Sequence, residues 1–339
     1  MKRESTAPRW RVADKPFDVV GMGLNSIDHL CVVKRHPRLD SKQPLTVYDC
    51  QPGGQVPTAL VALQRWGLRT AYVGSFGDDA GGVTARAALA AEGIDLSAAV
   101  VRRGTRQQVS IILIDEVSGE RSVLWEHVDD LVLRRSELPL AMLLQGRALL
   151  MDAVDLPAAV AAAQAARAEG VLTVLDTDTP AAGIDELLHL TDVLIVAAEF
   201  PGRLTGMADL RAALRETARR GPWFVGVTLG PGGALAFVDD AFHYVPAFRV
   251  PVVDSTGAGD IFHAGSIFGL LQGWSVPDTL RFAAAAAALK CEKLGGRPGI
   301  PTLARAAALA GLRAAAPLAP DREGRRLERE RDPHIPARG

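Results

Sequence analysis

Hydrophobic and polar residues along this chain alternate between two periods. Short apolar runs, typical of buried strands, are followed by stretches in which apolar residues recur every three or four positions, as in helices. The predicted strands lie at 17–23, 69–76, 147–152, 171–176, 192–197 and 223–229. The main predicted helices, each closed by a glycine, lie at 58–67, 82–93, 157–170 and 208–221. Strand and helix in alternation predict an α/β fold, with a mostly parallel sheet covered on both faces.

Two segments break this alternation. Residues 110–127 predict a β-hairpin that turns at 117–119, and residues 29–50 hold two short apolar fragments bounded by prolines. Because a hairpin cannot cross over between parallel strands, we expect a small extra sheet, from about 29–50 and 105–128, that projects from the main domain. The polar segment 1–16 and the charged tail 316–339 are predicted to be disordered, which leaves one domain over 17–315.

Composition and charge exclude several classes of protein. The formal net charge is −1, and no stripe of Lys and Arg with interleaved aromatic residues predicts nucleic-acid binding. No apolar run reaches the length of a membrane span, so we expect no membrane partner. The three cysteines, Cys31, Cys50 and Cys291, are isolated and predict neither a disulfide framework nor a structural zinc site. These features favour the reducing cytoplasm.

The stretch VVDSTGAGDIFHAGSIFGLLQGW, residues 252–274, carries the first chemical signal. Small residues precede a helical apolar pattern, and the first amides of a helix have no partner within it, which makes them a site for anions. Asp260 would be repelled by a phosphate bound there, unless it serves to remove a proton beside that phosphate.

Acids and glycines follow several of the predicted strands. In an open α/β sheet, ligands bind beyond the carboxyl ends of the strands, where Asp28, Asp152, Asp176 and Gly230 are expected. Asp78 and Asp79, which follow the predicted strand at 69–76, are interpreted as helix-capping or turn-forming residues. The sequence GMGLNS lacks the third glycine of a dinucleotide fingerprint, and no P-loop motif occurs.

Two motifs together resemble a known family. VVDSTGAGDIFHAG (252–265) resembles the C-terminal signature of the ribokinase (PfkB) family of sugar kinases, and PGGQVPTALVALQRWG (52–67) resembles its N-terminal Gly-Gly signature. The resemblance extends over residues 17–303 and includes VTLGPGG (227–233) and KCEKLGGRPGIP (290–301). Within the family, these segments are most similar to the branch that contains sulfofructose kinase and ketohexokinase.

The resemblance implies a ribokinase-like three-layer α/β/α fold with a small β-sheet lid, and ATP-dependent transfer of a phosphoryl group to a sugar hydroxyl. In that family the acid of GAGD, here Asp260, is the general base, and the amides of Gly257, Ala258 and Gly259 hold the migrating phosphoryl group. The alternative for Asp260 is a simple N-cap carboxylate.

The resemblance also implies a sugar pocket. Its predicted members are Asp28, Gly53, Gly54, Gln55, Thr58, Arg106 and Gln108. Thr58 stands where ribokinases usually have Asn, so the hydroxyl pattern of the sugar stays open. For Asp28 the alternative is a turn-forming acid, and for Arg106 and Gln108 it is a solvated loop.

On the nucleotide side, the resemblance assigns residues to ATP. They are Thr228, Gly230, Gly233, Thr256, Gly257 and Gly259. Glu199 stands near the place where many relatives have Asn-x-x-Glu for magnesium, which would be held mainly by ATP and water. Asp254 resembles part of a monovalent-cation site, which leaves potassium activation open. His263 is expected to pack in the core or beside the adenine.

The family likeness further implies a homodimer formed through the lid sheet. Two alternatives remain: a nucleoside kinase, although only 5% of residues are aromatic, and a non-catalytic sugar-binding regulatory protein, against which the intact Asp260 argues. A sulfonated or phosphorylated sugar would need a cation such as Lys42, Arg103 or Arg106. Val154 and Asp155 offer none, so a neutral sugar is equally open.

Overall fold

The computed structural model describes residues 14–312 of the chain. The strands are β1 (Phe17–Met22), β2 (Ile27–Val33), β3 (Val47–Pro52), β4 (Thr70–Val73), β5 (Ser75–Gly77), β6 (Val100–Arg102), β7 (Val109–Asp115), β8 (Arg121–Trp125), β9 (Gly146–Met151), β10 (Leu172–Asp176), β11 (Val193–Ala197), β12 (Phe224–Thr228), β13 (Ala234–Val238) and β14 (Ala241–Val245). The helices are α1 (Gln55–Arg65), α2 (Ala80–Ala91), α3 (Leu140–Leu143), α4 (Leu156–Ala168), α5 (Ile184–His189), α6 (Glu199–Thr205), α7 (Leu210–Arg219), α8 (Ala258–Leu271), α9 (Val276–Lys290) and α10 (Leu303–Ala310).

The central sheet has eight strands in the order β14-β13-β12-β11-β10-β9-β1-β4. Strands β12 through β4 in this order are parallel, and β13 and β14 add an antiparallel edge. The predicted α/β class is therefore confirmed, and all six predicted strands overlap strands of this sheet. The prediction at 69–76 covers both β4 and β5, and the antiparallel edge was not predicted.

Helices cover both faces of this sheet. One face packs against α1, α8, α9 and α10, where Trp66, Phe268 and Phe282 meet in tilted and edge-to-face contacts. The other face packs against α3 to α7. Parallel strands buried on both sides are apolar at nearly every position, which explains the continuous apolar runs in the sequence.

The predicted small sheet is present, with strand order β3-β2-β7-β8. We call it the lid. Asp28, Ser110 and Trp125 lie opposite one another in its ladders, so their side chains point to the same face. Leu30 and Ile112 form a small buried cluster two residues further along that face. We call it the inner face, because it carries Asp28.

The described part of the N-terminal segment contacts the main domain. Within the segment predicted to be disordered, Lys15 Nζ donates to the Leu144 carbonyl at 2.9 Å. Residues 1–13 of that segment and the tail at 316–339 lie outside the described residues. All three cysteines are free thiols. Between residues 14 and 312, no helix combines the length and the apolar character that crossing a membrane requires.

Candidate active site

The glycine-rich stretch forms the start of α8, as predicted. Gly257 is the N-cap residue, with φ near 79°, and the helix runs from Ala258 through a buried apolar segment. The amides of Gly257, Gly259 and Asp260 have no acceptor among the described residues, whereas the Ala258 amide donates to the Ser255 carbonyl at 3.1 Å. A Cβ added at Gly259 would meet nothing within 4 Å. The start of α8 therefore presents open, positively polarised amides, and we call the region between it and Asp28 the cleft.

Asp260 lies in the first turn of α8 and is half-buried. The loss of water around the carboxyl raises the pKa of Asp260 well above its ordinary value, and the nearby charge of Asp176 raises it further. His263 and Arg121 act in the opposite direction. A carboxylate with a raised pKa beside unpaired amides has the properties of a general base.

His263 is buried, which agrees with the first of its two predicted placements, in the core or beside the adenine. Its Nδ1 lies 2.9 Å from the Gly259 carbonyl and 3.5 Å from Asp176 Oδ2, and its Nε2 lies 2.9 Å from the Ile195 carbonyl. Burial lowers the pKa of His263, while its acceptors and the nearby acids raise it. The imidazole thus joins the first turn of α8 to β11.

Asp28 forms the other end of the cleft. Its side chain is buried and accepts a hydrogen bond from Ser26 Oγ at 2.7 Å. Burial raises the pKa of Asp28, and the charge of Arg297 lowers it. A Cβ added at Gly53 would lie 2.0 Å from Asp28 Oδ2, so only glycine fits there. Asp28 and Gly53 are therefore in direct contact.

The start of α1 brings further predicted residues to this place. Gly54 is the N-cap of α1, and Thr58 is buried one turn into the helix. Gln55 Nε2 donates to the Asp176 carbonyl at 3.1 Å, which links α1 to the carboxyl end of β10. The predicted members Asp28, Gly53, Gly54, Gln55 and Thr58 are thus adjacent to one another or to the acids at the sheet edge.

The two predicted lid residues differ. Gln108 is only 5% exposed, and its Oε1 has no partner in the part of the chain that the structure describes. It precedes β7 and, by strand alternation, lies on the same face as Ser110 and Asp28. Arg106 is exposed, and both of its terminal nitrogens bond to Glu126. This surface ion pair favours Gln108 over Arg106 as a ligand-binding residue.

Sequence analysis missed Arg297, which lies in the segment between α9 and α10. Its guanidinium is 9% exposed, with Nη2 2.8 Å from the Gly53 carbonyl and Nε 3.5 Å from Thr58 Oγ1. Burial lowers the pKa of Arg297 to about 10, while the charge of Asp28 raises it. The quoted GGRPGIP motif contains this residue, but no local pattern shows that it returns to α1.

The predicted nucleotide turn follows β12. Thr228 ends the strand, and Gly230 begins a 3₁₀ turn with nothing within 4 Å of an added Cβ. An added Cβ at Gly233 would lie 2.1 Å from the Val245 carbonyl, so packing against β14 accounts for this glycine. Thr256 donates through both its amide and its hydroxyl to Asp254 Oδ1, and its side chain is therefore occupied within the loop.

The two predicted metal ligands also have distinct surroundings. Glu199 is the exposed first residue of α6, two residues beyond the end of β11. Within the described range, no group of three or more acidic, His or Cys side chains is arranged to hold a metal ion. Asp254 is fully buried, and its carboxylate and carbonyl oxygens all accept hydrogen bonds from the protein.

Comparison with known proteins agrees with this architecture. Residues 17–303 match the pfkB family of carbohydrate kinases. The chain is 31% identical over 293 residues to ribokinase of Haemophilus influenzae, covering 83% of this chain and 94% of that protein.

Solved structures support the same fold. A ribokinase-like protein of Agrobacterium tumefaciens superposes with a TM-score of 0.80 at 28% identity, covering 87% of this chain and 97% of that one. Arabidopsis thaliana ribokinase, solved in complex with ribose and ATP, has a TM-score of 0.72 at 23% identity, covering 88% and 99% of the two chains. The matched fold and the long family match together show that this chain belongs to the pfkB family of carbohydrate kinases.

Proposed function

We propose that this kinase transfers the γ-phosphoryl group of ATP to a hydroxyl of a sugar or sugar derivative. The carboxylate of Asp260 takes the hydroxyl proton, the hydroxyl oxygen attacks the γ-phosphorus, and the bond to the bridging oxygen of ADP breaks. The observation that carries this proposal is the half-buried Asp260, with a raised pKa, beside the unpaired amides of Gly257 and Gly259. The Ala258 amide would join them only on leaving the Ser255 carbonyl.

The sugar would lie between Asp28 and Asp260. Asp28 accepts hydrogen bonds from hydroxyls, Gly53 allows close approach of the backbone, and Gln108 Oε1 supplies a buried acceptor that lacks a partner among the described residues. Trp125 lies on the inner face of the lid and offers a flat apolar surface over the pocket. Arabidopsis ribokinase, a structure with the same fold, was solved with ribose and ATP bound.

ATP would lie along the turn after β12, with Thr228 and Gly230 toward its phosphates. Magnesium, when bound, neutralises phosphate charge and takes most of its ligands from ATP and water. Glu199 is positioned at the carboxyl edge of the sheet, where it could order that water shell. The donor set fits a metal carried by the nucleotide better than a metal cage built by the protein.

Replacement of Asp260 by Asn tests the base. We expect kcat to fall about 100- to 10,000-fold, because the amide cannot accept the proton. Sugar-dependent thermal stabilisation should persist, because the pocket around Asp28 is unchanged. ATP consumption is measured over a panel of sugars, sugar acids and nucleosides.

The matched control is Asp240→Asn, an exposed acid in the turn between β13 and β14, at the opposite end of the sheet from the cleft. It should keep the wild-type rate. A wild-type rate in Asp260→Asn, or no sugar-dependent ADP formation by the wild type, would refute the mechanism or the function, respectively.

The pH dependence of kcat tests the raised pKa of Asp260. The base must be ionised, so kcat falls as the pH drops through its pKa, and the acidic limb should lie well above the ordinary carboxyl range. Asp176→Asn removes a negative charge that raises this pKa, and the limb should therefore move to lower pH. Asp185→Asn, an exposed acid on α5, serves as the control and should leave the limb in place. A limb that stays fixed in Asp176→Asn contradicts the assignment.

We further propose that Arg297 binds the substrate and keeps Asp28 ionised. Arg297→Gln should raise the KM for the sugar roughly 10- to 100-fold, the range for a lost charged hydrogen bond, with a smaller change in kcat. Arg297→Lys should recover part of the loss. Arg305→Gln, which breaks a surface pair with Glu292, is the control. An unchanged KM for Arg297→Gln would leave Arg297 a packing role only.

We also propose a homodimer through the outer face of the lid. Tyr48, Ile111 and Leu124 point away from Asp28 and are 58%, 43% and 59% exposed, which is unusual for a cluster of apolar side chains. Leu124→Glu should yield monomers in sedimentation velocity, because two buried carboxylates would face each other across the interface. Val83→Glu, at an exposed site on α2, should leave the dimer intact. A monomeric wild type would rule the dimer out.

A further inference from the structure

A completely buried lysine lies beneath the start of α8. Lys290 is the last residue of α9 and has no solvent exposure. Its Nζ donates to the Asp254 carbonyl at 2.8 Å, and no carboxylate forms an ion pair with it in the described part of the chain. Burying an ammonium group is costly unless nearby charge or dipoles compensate for it. Packing alone therefore does not account for a buried lysine at position 290.

The surroundings of Lys290 are the loop that forms the anion hole. Asp254, which is equally buried, accepts from Thr256 at 2.8 Å and 2.7 Å through Oδ1, and from the Gly295 amide at 2.7 Å through Oδ2. Thr256 leads directly into Gly257. We call Asp254, Thr256, Lys290 and Gly295 the buried polar cluster. Its contacts hold the loop that leads into Gly257.

The same oxygens are those that a monovalent cation would need. Potassium is bound in proteins by carbonyl and carboxylate oxygens that replace its hydration shell. Here the carbonyl of Asp254 already accepts from an ammonium group, and both carboxylate oxygens accept from protein donors. A potassium ion bound to these oxygens would be repelled by the ammonium group of Lys290. The residues present therefore do not fit a resident potassium ion.

The charges around Lys290 also argue against a resident potassium ion. Asp254 is the negative group that affects it most, Cys291 and Asp260 act in the same direction, and Arg121 on the lid is the positive group that opposes them. Burial lowers the pKa of Lys290, and the charge of Asp254 raises it. One lysine beside one buried aspartate leaves the cluster close to neutral without any added ion.

We propose that the ammonium group of Lys290 takes the place of a bound monovalent cation and holds the loop before α8, so that phosphoryl transfer by this chain needs no potassium. Lys290 is thus a positioning residue: it touches neither sugar nor ATP, and it holds the loop from which the amides of Gly257 and Gly259 project. The claim that phosphoryl transfer needs no potassium rests on the proposed function, whereas the claim that Lys290 holds the loop does not.

The first test uses the wild-type protein. Its rate and its melting temperature are measured in the chlorides of potassium, ammonium and tetramethylammonium at equal ionic strength. We expect rates that agree within about twofold, since equal ionic strength leaves screening unchanged, and equal melting temperatures. Activation by potassium or ammonium well beyond that range would overturn the proposal.

The second test compares two variants. Lys290→Met fills the space without charge, and Lys290→Ala leaves room for an ion beside Asp254. In tetramethylammonium chloride both should lose roughly 100-fold in kcat, the scale for a disturbed oxyanion site. Potassium, ammonium or methylammonium should restore about tenfold or more in the alanine variant, and should raise its melting temperature, because they bind the folded state. The methionine variant should show neither recovery.

The outcomes separate this inference from the function. Wild-type rates in Lys290→Met would overturn the proposal, as would loss in both variants without recovery by any cation. If no sugar is phosphorylated in any salt, the proposed function fails, and the melting temperatures alone then decide the role of Lys290. A cation-dependent melting temperature confined to Lys290→Ala supports it.

Discussion

The site depends on one close approach between two backbone segments. A Cβ added at Gly257 would lie 2.9 Å from the Cα of Gly296, closer than side-chain atoms pack. Gly257 also adopts a left-handed backbone conformation, which other residues rarely do. Because these segments touch, the start of α8 is held against the loop that carries Arg297 toward Asp28. The proposed anion hole and the proposed sugar pocket are therefore parts of one packed unit rather than separate sites.

This packing concentrates acids at the carboxyl edge of the sheet. Burial raises the pKa values of Asp152, Asp176 and Asp260, so fewer of them are ionised at neutral pH than in water. His263 lies among them with a carbonyl oxygen at 2.9 Å from each ring nitrogen. Burial lowers the pKa of His263 and favours the neutral ring, which adds no further charge to this edge. The edge can thus hold a base without accumulating charge that repels ATP.

Local patterns in the sequence predicted what is locally determined. Strand and helix periods, the glycine start of α8 and the 110–127 hairpin all follow from residues within one turn or one ladder, and the structure has them. Arg297 and Lys290 could not be found this way. Arg297 contacts Gly53, 244 positions earlier in the chain, and Lys290 ends an alanine-rich helix where a lysine is ordinary. The β13–β14 edge was missed because its antiparallel turn breaks the βα rhythm on which the prediction relied.

The lid connects the two ends of the cleft. Its strand β2 carries Asp28, while the tip of its β7–β8 hairpin reaches the phosphate side, where the Gly119 carbonyl accepts from the Ser255 amide at 3.2 Å and hydroxyl at 3.0 Å. Arg121 adds a bond to the same hydroxyl at 3.1 Å. Under the proposed function, closure of the lid over the sugar would also move the loop that leads into Gly257, because the lid contacts that loop. Phosphoryl transfer requires exclusion of water from the γ-phosphate, so the proposed function predicts that occupation of the sugar pocket orders the anion hole.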